Sequence, residues 1–548
     1  MHPIMHATML LTNARIYTQD AERPTARAVA LAGNRILAVG DDLSHLAGPG
    51  TQTHDLGGRT LLPGFIDAHI HFVGWALQRR WVDLADVLSA AQALAVIAHK
   101  AGQMAPGRWL RGGGWDANVW PEGLPTRQTL DQVAPLHPVA LDSKDWHSLW
   151  VNSLALARAG ITASTPDPAD GMIERDPQTG EPTGILRENA VKLLDGVIEQ
   201  PGLDESCAAT LEGIRLAWAN GLTGIHEAND TAEMLAFRTY QALLRRGELG
   251  LRVNQAIPRA QRQAAIDLGL QSGFGNDWLR LGSVKFFADG ALGSQTAWML
   301  EPYRGRPDWR GICTLDPEEF TEEALACSAA GLSVMIHAIG DRANRHALDA
   351  LQVVRAAEPE WRTGQAQPAR PWPPLRHRVE HVQIVHPDDA PRLAQLGLIA
   401  SMQPIHATSD MLNADRSWGE PRVQGAYAWR SLLASGVTLA FGSDAPIEAP
   451  DVLAGIHAAV TRRRADGAPG PAGWQPQERI SVAEAVRAYT LGAAFASGEE
   501  ASKGSITPGK LADLVVLDRD IFTCPAEEIL QTRVVATVLD GKVVYGEM

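Results

Sequence analysis

The stretch Pro63-Gly64-Phe65-Ile66-Asp67-Ala68-His69-Ile70-His71-Phe72 reads as a short apolar strand that ends in two histidines. Strand side chains alternate between faces, so residues two apart point the same way, about 6.6 Å apart at about 3.3 Å per residue. Imidazoles so placed can share one divalent metal, at Zn–N distances of roughly 2.0–2.1 Å. An exposed histidine pair at a strand end has the same spacing. The rest of the chain decides between the two.

Downstream, from about residue 204 to 500, helix and strand alternate. The apolar runs "GLTGIHE", "GLRVNQAI", "RLGSVKFFADG", "GLSVMIHAIG", "LRHRVEHVQIV", "GLIASMQP" and "GVTLAFGSD" are separated by amphipathic segments such as "TAEMLAFRTYQALLRRG" and "PEEFTEEALACSAAG". With the strand at 63–72 they make eight. Eight strands alternating with helices predict an α/β fold of the (β/α)8 (TIM) barrel type, whose chemistry sits at the C-terminal strand ends. Those ends are polar: His69 and His71, then His226 and Glu227, Lys285, His337, His381 and Asp444.

Each of these has an ordinary structural reading. His337 after "LSVMI" reads as a core histidine, and Asp444 in Gly-Ser-Asp-Ala-Pro reads as a helix cap. Glu380 is a local partner for His381, although adjacent strand residues face opposite sides. Lys285 is harder to dismiss, because an ammonium inside an apolar strand is costly without a partner. So many coincidences at one kind of position favour a metal centre. Imidazole and carboxylate donors suit zinc and neighbouring divalent ions, and the lack of cysteine ligands argues against iron–sulfur or blue-copper chemistry.

The 548 residues exceed one ordinary domain. Residues 1–60 and 500–548 both alternate apolar and polar positions, with Asp540-Gly541 as a hairpin turn, and pair in expectation into one small β-sandwich domain. Residues 61–74 and 204–499 form the barrel. The segment 75–203, rich in Trp, Gly, Pro and Asp, reads as a subdomain inserted after the first barrel strand and folded over its mouth. Trp115, Asp116 and His147 in that segment are candidate substrate contacts, as are His226, Asp289 and Gly290 beside the barrel strands; ordinary packing is the competing reading for the tryptophans.

With 45% hydrophobic and 20% charged residues the chain reads as a folded soluble protein. A net charge of −14 speaks against nucleic acid and anionic membrane as partners. Four scattered cysteines, the absence of a signal-like apolar run and the lack of any stretch near 20 apolar residues point to a cytoplasmic protein.

The pattern resembles the amidohydrolase superfamily, and within it the branch containing N-substituted formamide deformylase. The resemblance rests on "LLPGFIDAHIHF", "GWDANVWPEGLPTRQTLD", "HSLWVNSLAL", "GEPTGILRENA", "VKFFADGALGSQTA", "MIHAIGDRAN", "RVEHVQIV", "FGSDAPIE" and "GSITPGKLADLVVLDRD". It implies that His69, His71 and Asp444 bind the more buried metal and that His337 and His381 bind a second. Lys285, carboxylated by CO2, would bridge the two ions, which the resemblance implies to be zinc. It implies hydrolysis of a non-peptide, amide-type C–N bond in an N-acyl or N-formyl amine, with Asp444 as general base. The partner is then a small-molecule amide, and a homodimer is compatible with it. A heterocyclic amine deaminase of the same fold, an ester or carbamate hydrolase, and a non-catalytic scaffold are the rival readings. Lys285 speaks against the deaminase, and the full ligand set speaks against the scaffold.

Overall fold

Eight parallel strands, β1 (Phe65–Ile70), β2 (Leu222–Glu227), β3 (Arg252–Pro258), β4 (Leu279–Phe287), β5 (Val334–Ala338), β6 (Arg378–His381), β7 (Ile399–Met402) and β8 (Thr438–Phe441), lie side by side in sequence order. They coincide with the eight apolar runs. The computed structural model describes residues 6–548 except 85–86, 118–119, 144–147, 169–170, 229, 232 and 365–373, with backbone only for 360–364.

The ring is drawn together at the seam between β8 and β1. The Asp444 N–H donates to His69 O at 2.7 Å, and the His71 N–H donates to Ala445 O at 2.9 Å. Gly442 makes this approach possible, since a Cβ there would stand 2.5 Å from both Asp67 Oδ1 and the His69 nitrogen. Strand alternation sorts the two faces of β1. Ile66 and Ala68 pack outward with Ile399, Ala440, Ala493 and Ala494, which leaves Asp67 and His69 on the other face.

Helices occupy the connections. Pro317–Ala329 after β4 is capped by Asp316, which accepts from the Glu318 and Glu319 N–H groups. The helix expected over 231–247 is shorter, Leu235–Arg246, because Met234 adopts a left-handed φ of 56° just before it. Among the described residues no helix is long and apolar enough to cross a membrane.

Two further sheets come from the chain ends. One has the order Arg35–Gly40, Ala28–Ala32, Met9–Thr12, Gln52–Asp55. The other has the order Lys542–Gly546, Val534–Leu539, Leu514–Leu517, Thr60–Pro63, Arg15–Tyr17, Thr25–Ala26. Leu514–Leu517 runs antiparallel to Thr60–Pro63, so the two termini meet in one ladder. Met9, Leu11, Val29 and Leu31 of the first sheet share an apolar core with Leu61, Leu514, Val516 and Val538 of the second. Asp540 and Gly541, at φ 55° and 74°, make the left-handed two-residue turn that suits the twist of the flanking strands. Arg252 at the start of β3 ties the barrel to these strands. Its guanidinium reaches Asp513 at 2.5 and 2.9 Å and Asp540 at 3.1 Å.

Residues Val73–Ala209 form a separate compact unit. Among the described residues its sheet has six strands, and the rings of Trp115, Trp120 and Trp150 meet at 6.0–6.3 Å in its core.

Candidate active site

The barrel gathers its histidines around Asp444. His69 is fully buried, with Nδ1 2.5 Å from Glu380 Oε2 and Nε2 3.5 Å from Asp444 Oδ1. His71 Nε2 lies 3.2 Å from the same oxygen. The His337 Nε2–H donates to Gly290 O at 3.0 Å, and the His381 Nδ1–H donates to Gln403 Oε1 at 2.8 Å. The His381 ring centroid stands 4.8 Å from that of His69 and 4.5 Å from that of His337.

A pattern runs through these contacts. In His69, His337 and His381 one ring nitrogen is pinned by an acceptor, which fixes the tautomer and frees the other nitrogen. Metal-ligating histidines are held in this way. The freed His69 Nε2 is buried and has no hydrogen-bond partner among the described residues. Burial, reinforced by the Lys285 charge, pushes both His69 and His337 down to about 4. They are therefore neutral at physiological pH, which is the ligating form. Burial pushes Asp444 up, but the histidines around it outweigh this and hold it well below the carboxylate range.

Lys285 on β4 is 1% exposed. Burial pushes its amine down to about 8, against the pull of Glu380 and Asp444. Its Nζ lies 4.8 Å from the Phe287 ring centroid, and no hydrogen bond or ion pair to it is found among the described residues.

Beneath these residues lies a polar layer that sequence reasoning missed. Glu380 pairs with His69 across the barrel rather than with its neighbour His381. Its carboxylate also takes two hydrogen bonds from Arg378, at 2.8 and 3.0 Å. Arg378 donates further to Ala68 O, Ser401 Oγ and His226 Nδ1, at 2.6, 2.8 and 2.9 Å. Two adjacent strand residues, Glu380 and His381, both reach the centre because the backbone turns left-handed there, with φ 71° at His381 and 45° at Val382. Asp444 has the same property at φ 59°. Such conformations cluster at functional sites. Asp67, two residues before His69, accepts from the Ser443 N–H at 3.1 Å, and burial raises it to about 7. Its place in the His-x-His strand was the available signal.

His406, in the helix Pro404–Ser417, was also missed. Its Nε2 lies 3.9 Å from Asp444 Oδ2. The signal was its place in "SMQPIHATSD", just past the end of β7.

The remaining candidates have other surroundings. His226 is buried against Arg378, whereas Glu227 faces outward and accepts from the Tyr240 hydroxyl at 2.5 Å. Asp289 accepts from the Trp298, Ile339 and Gly340 N–H groups at 2.8–3.0 Å, so it organises the loops after β4 and β5. Gly290 supplies the carbonyl that pins His337. Trp115 is core in the 73–209 unit, where its indole N–H donates to Leu141 O at 2.7 Å. Asp116 follows it in the chain. His147 lies outside the described residues.

Imidazole and carboxylate donors converge in two sets that share Asp444: His69 and His71, and His381 and His406, with the donor atoms of each set within 4.8 Å of one another. This chemistry fits a divalent cation.

A barrel of this topology with histidines and an aspartate at its strand ends defines a metal-dependent hydrolase. The sequence profile of the amidohydrolase family matches residues 52–545, and the chain belongs to that family, hydrolases of carbon–nitrogen bonds. It is 34% identical to the protein LONG AFTER FAR-RED 3 of Arabidopsis thaliana over 98% of this chain and 92% of that one. It is 30% identical to the N-substituted formamide deformylase of Arthrobacter pascens, over 98% of each chain. Among solved structures it is similar to an uncharacterized metal-dependent hydrolase from Pyrococcus furiosus. The TM-score is 0.77 at 26% identity, covering 94% of this chain and all of that one (100%).

Proposed function

We propose that the protein hydrolyses the C–N bond of a small non-peptide amide, an N-acyl or N-formyl amine, at a centre built for two divalent ions. The observation that carries this is the pinned-and-free arrangement of His69, His337 and His381 around an ionised Asp444. In this reading His69, His71 and Asp444 hold one ion, His337 and His381 hold the other, and zinc is the ion proposed. Bound ions of this kind acidify a water towards pKa about 7 and polarise a carbonyl.

Lys285 is the bridge in this reading. An amine whose basicity is lowered by burial is partly neutral near pH 8, so it can attack CO2, lose a proton and become a carbamate. The product is an anion, which replaces a buried cation by a group that suits a site for two cations. Asp444 is the proton carrier: it takes a proton from the attacking water and returns it to the leaving amine. Phe287 is 41% exposed, and its ring centroid lies 5.4 Å from that of His337. That supports an apolar or ring-bearing substituent on the substrate. The shared length with the Arthrobacter pascens deformylase supports an N-substituted formamide in particular.

The test is a screen of N-formyl and N-acyl amines with zinc-loaded protein, alongside metal counting. Two ions per chain and release of the free amine are expected. Asp444→Asn should abolish turnover while substrate still binds, and retained turnover would remove Asp444 from its role. Ammonia release from a heterocyclic amine with one ion per chain would identify a deaminase instead.

A further inference from the structure

His406 stands apart from the other histidines of the centre. Its side chain is 7% exposed, yet neither Nδ1 nor Nε2 has a hydrogen-bond partner among the described residues. A neutral imidazole offers one N–H donor and one acceptor, and leaving both unused in a buried place is costly. The ring is nevertheless held in register with the centre, at 16° to the plane of His381 and 6.2 Å from its centroid.

His69, His337 and His381 each have a protein acceptor pinning one nitrogen, as metal ligands do. His406 has none. It therefore lacks the anchoring that marks those three as ligands, although its donor atom lies within 4.8 Å of those of His381 and Asp444. Its Nε2 lies 3.9 Å from Asp444 Oδ2, beyond a direct hydrogen bond. An atom about 2.8 Å from both would make a roughly right-angled bridge between them. Asp444 turns Oδ1 towards His69 and His71 and leaves Oδ2 on the His406 side.

We propose that His406 is a substrate-contacting residue, whose Nε2 hydrogen-bonds the scissile amide group in the space it shares with Asp444 Oδ2. This rests on the amide-hydrolase reading and adds to it the group that holds the reacting bond against Asp444. The ligand class is a planar amide or its isostere.

The experiment compares zinc-loaded wild type, His406→Phe and His406→Gln in three measurements: zinc content, melting temperature and affinity for acetohydroxamic acid by calorimetry. Expected are unchanged zinc content, a melting temperature no lower than that of wild type, a hydroxamate Kd raised about tenfold or more in His406→Phe, and partial recovery in His406→Gln. With amide substrates kcat should fall more than KM rises. Loss of one ion from either variant would make His406 a metal ligand and overturn the inference. An unchanged Kd, or a wild type that binds no hydroxamate, would also overturn it. If His406→Phe fails to fold, His406→Gln decides alone, with a fall in affinity of severalfold expected. A wild type that binds hydroxamate but hydrolyses no amide would remove the proposed function and leave the hydroxamate comparison to judge His406.

Discussion

Replacing Glu380 by Gln tests the buried layer under the centre. The carboxylate has two oxygens and serves three donors: the His69 ring at Nδ1 and the Arg378 guanidinium at Nε and Nη2. The amide keeps one oxygen and turns an NH2 towards donors, so at least one buried donor loses its acceptor, at about 1–3 kcal/mol. Arg378 also loses its counter-ion in a fully buried place. Its remaining acceptors, Ala68 O, Ser401 Oγ and His226 Nδ1, are neutral. Breaking a buried pair on one side costs about 3–5 kcal/mol. His69 loses the group that orients its ring, and outer partners of this kind are worth about 10–100-fold in metal affinity. Two measurements separate these effects: chelator competition for zinc affinity, and denaturant unfolding of metal-free protein. Glu380→Gln should lower the unfolding midpoint of the metal-free protein and weaken zinc binding by one to two orders of magnitude. Equal zinc affinity, with metal-free stability within about 0.5 kcal/mol of wild type, would refute the assigned role.

Two other changes probe parts of the fold away from the centre. Arg252→Met leaves Asp513 buried without its cation, and the metal-saturated protein should lose about 3–5 kcal/mol in denaturant unfolding; a midpoint equal to wild type would contradict the tie between barrel and terminal strands. Burial pushes the Glu358 carboxyl up, but the hydrogen bond from His377 at 2.9 Å and the Arg355 guanidinium outweigh it and hold the group down to about 2. Because this is below the usual 4.5, its stabilisation is complete above about pH 4.5 and is lost as pH falls towards 2. The gap in unfolding midpoint between wild type and Glu358→Gln should therefore narrow from about pH 6 to about pH 3, and a constant gap would refute the assignment.

The barrel was legible because its strands are short apolar runs separated by amphipathic helices, a signal carried by local sequence. The histidines and Asp444 were legible for a related reason: a polar residue where such a run ends is conspicuous. The layer beneath was not. Arg378 and Glu380 sit inside "RVEHVQIV", where strand parity sends Glu380 and His381 to opposite faces. The left-handed turn at His381 that brings both inward leaves no mark in the residue types. His406 was hidden because a histidine in the first turn of a helix is unremarkable until the helix is seen to start beside Asp444. Trp115 shows the converse: tryptophans clustered in sequence can simply be one core.

The seam between β1 and β8 also bears on how the chain is made. The Ser443 N–H finds Asp67 across 376 residues of sequence, and its neighbours Asp444 and His69 are bonded through their backbones. The first barrel strand to leave a ribosome must wait for the last before the ring can shut, and long-range closures of this kind are slow. A nascent chain that stops before Thr438 holds His69 and His71 but has no Asp444 to complete them. If those three groups hold an ion, as proposed, its uptake would report that synthesis has run through the whole barrel, and a truncated chain could not counterfeit it.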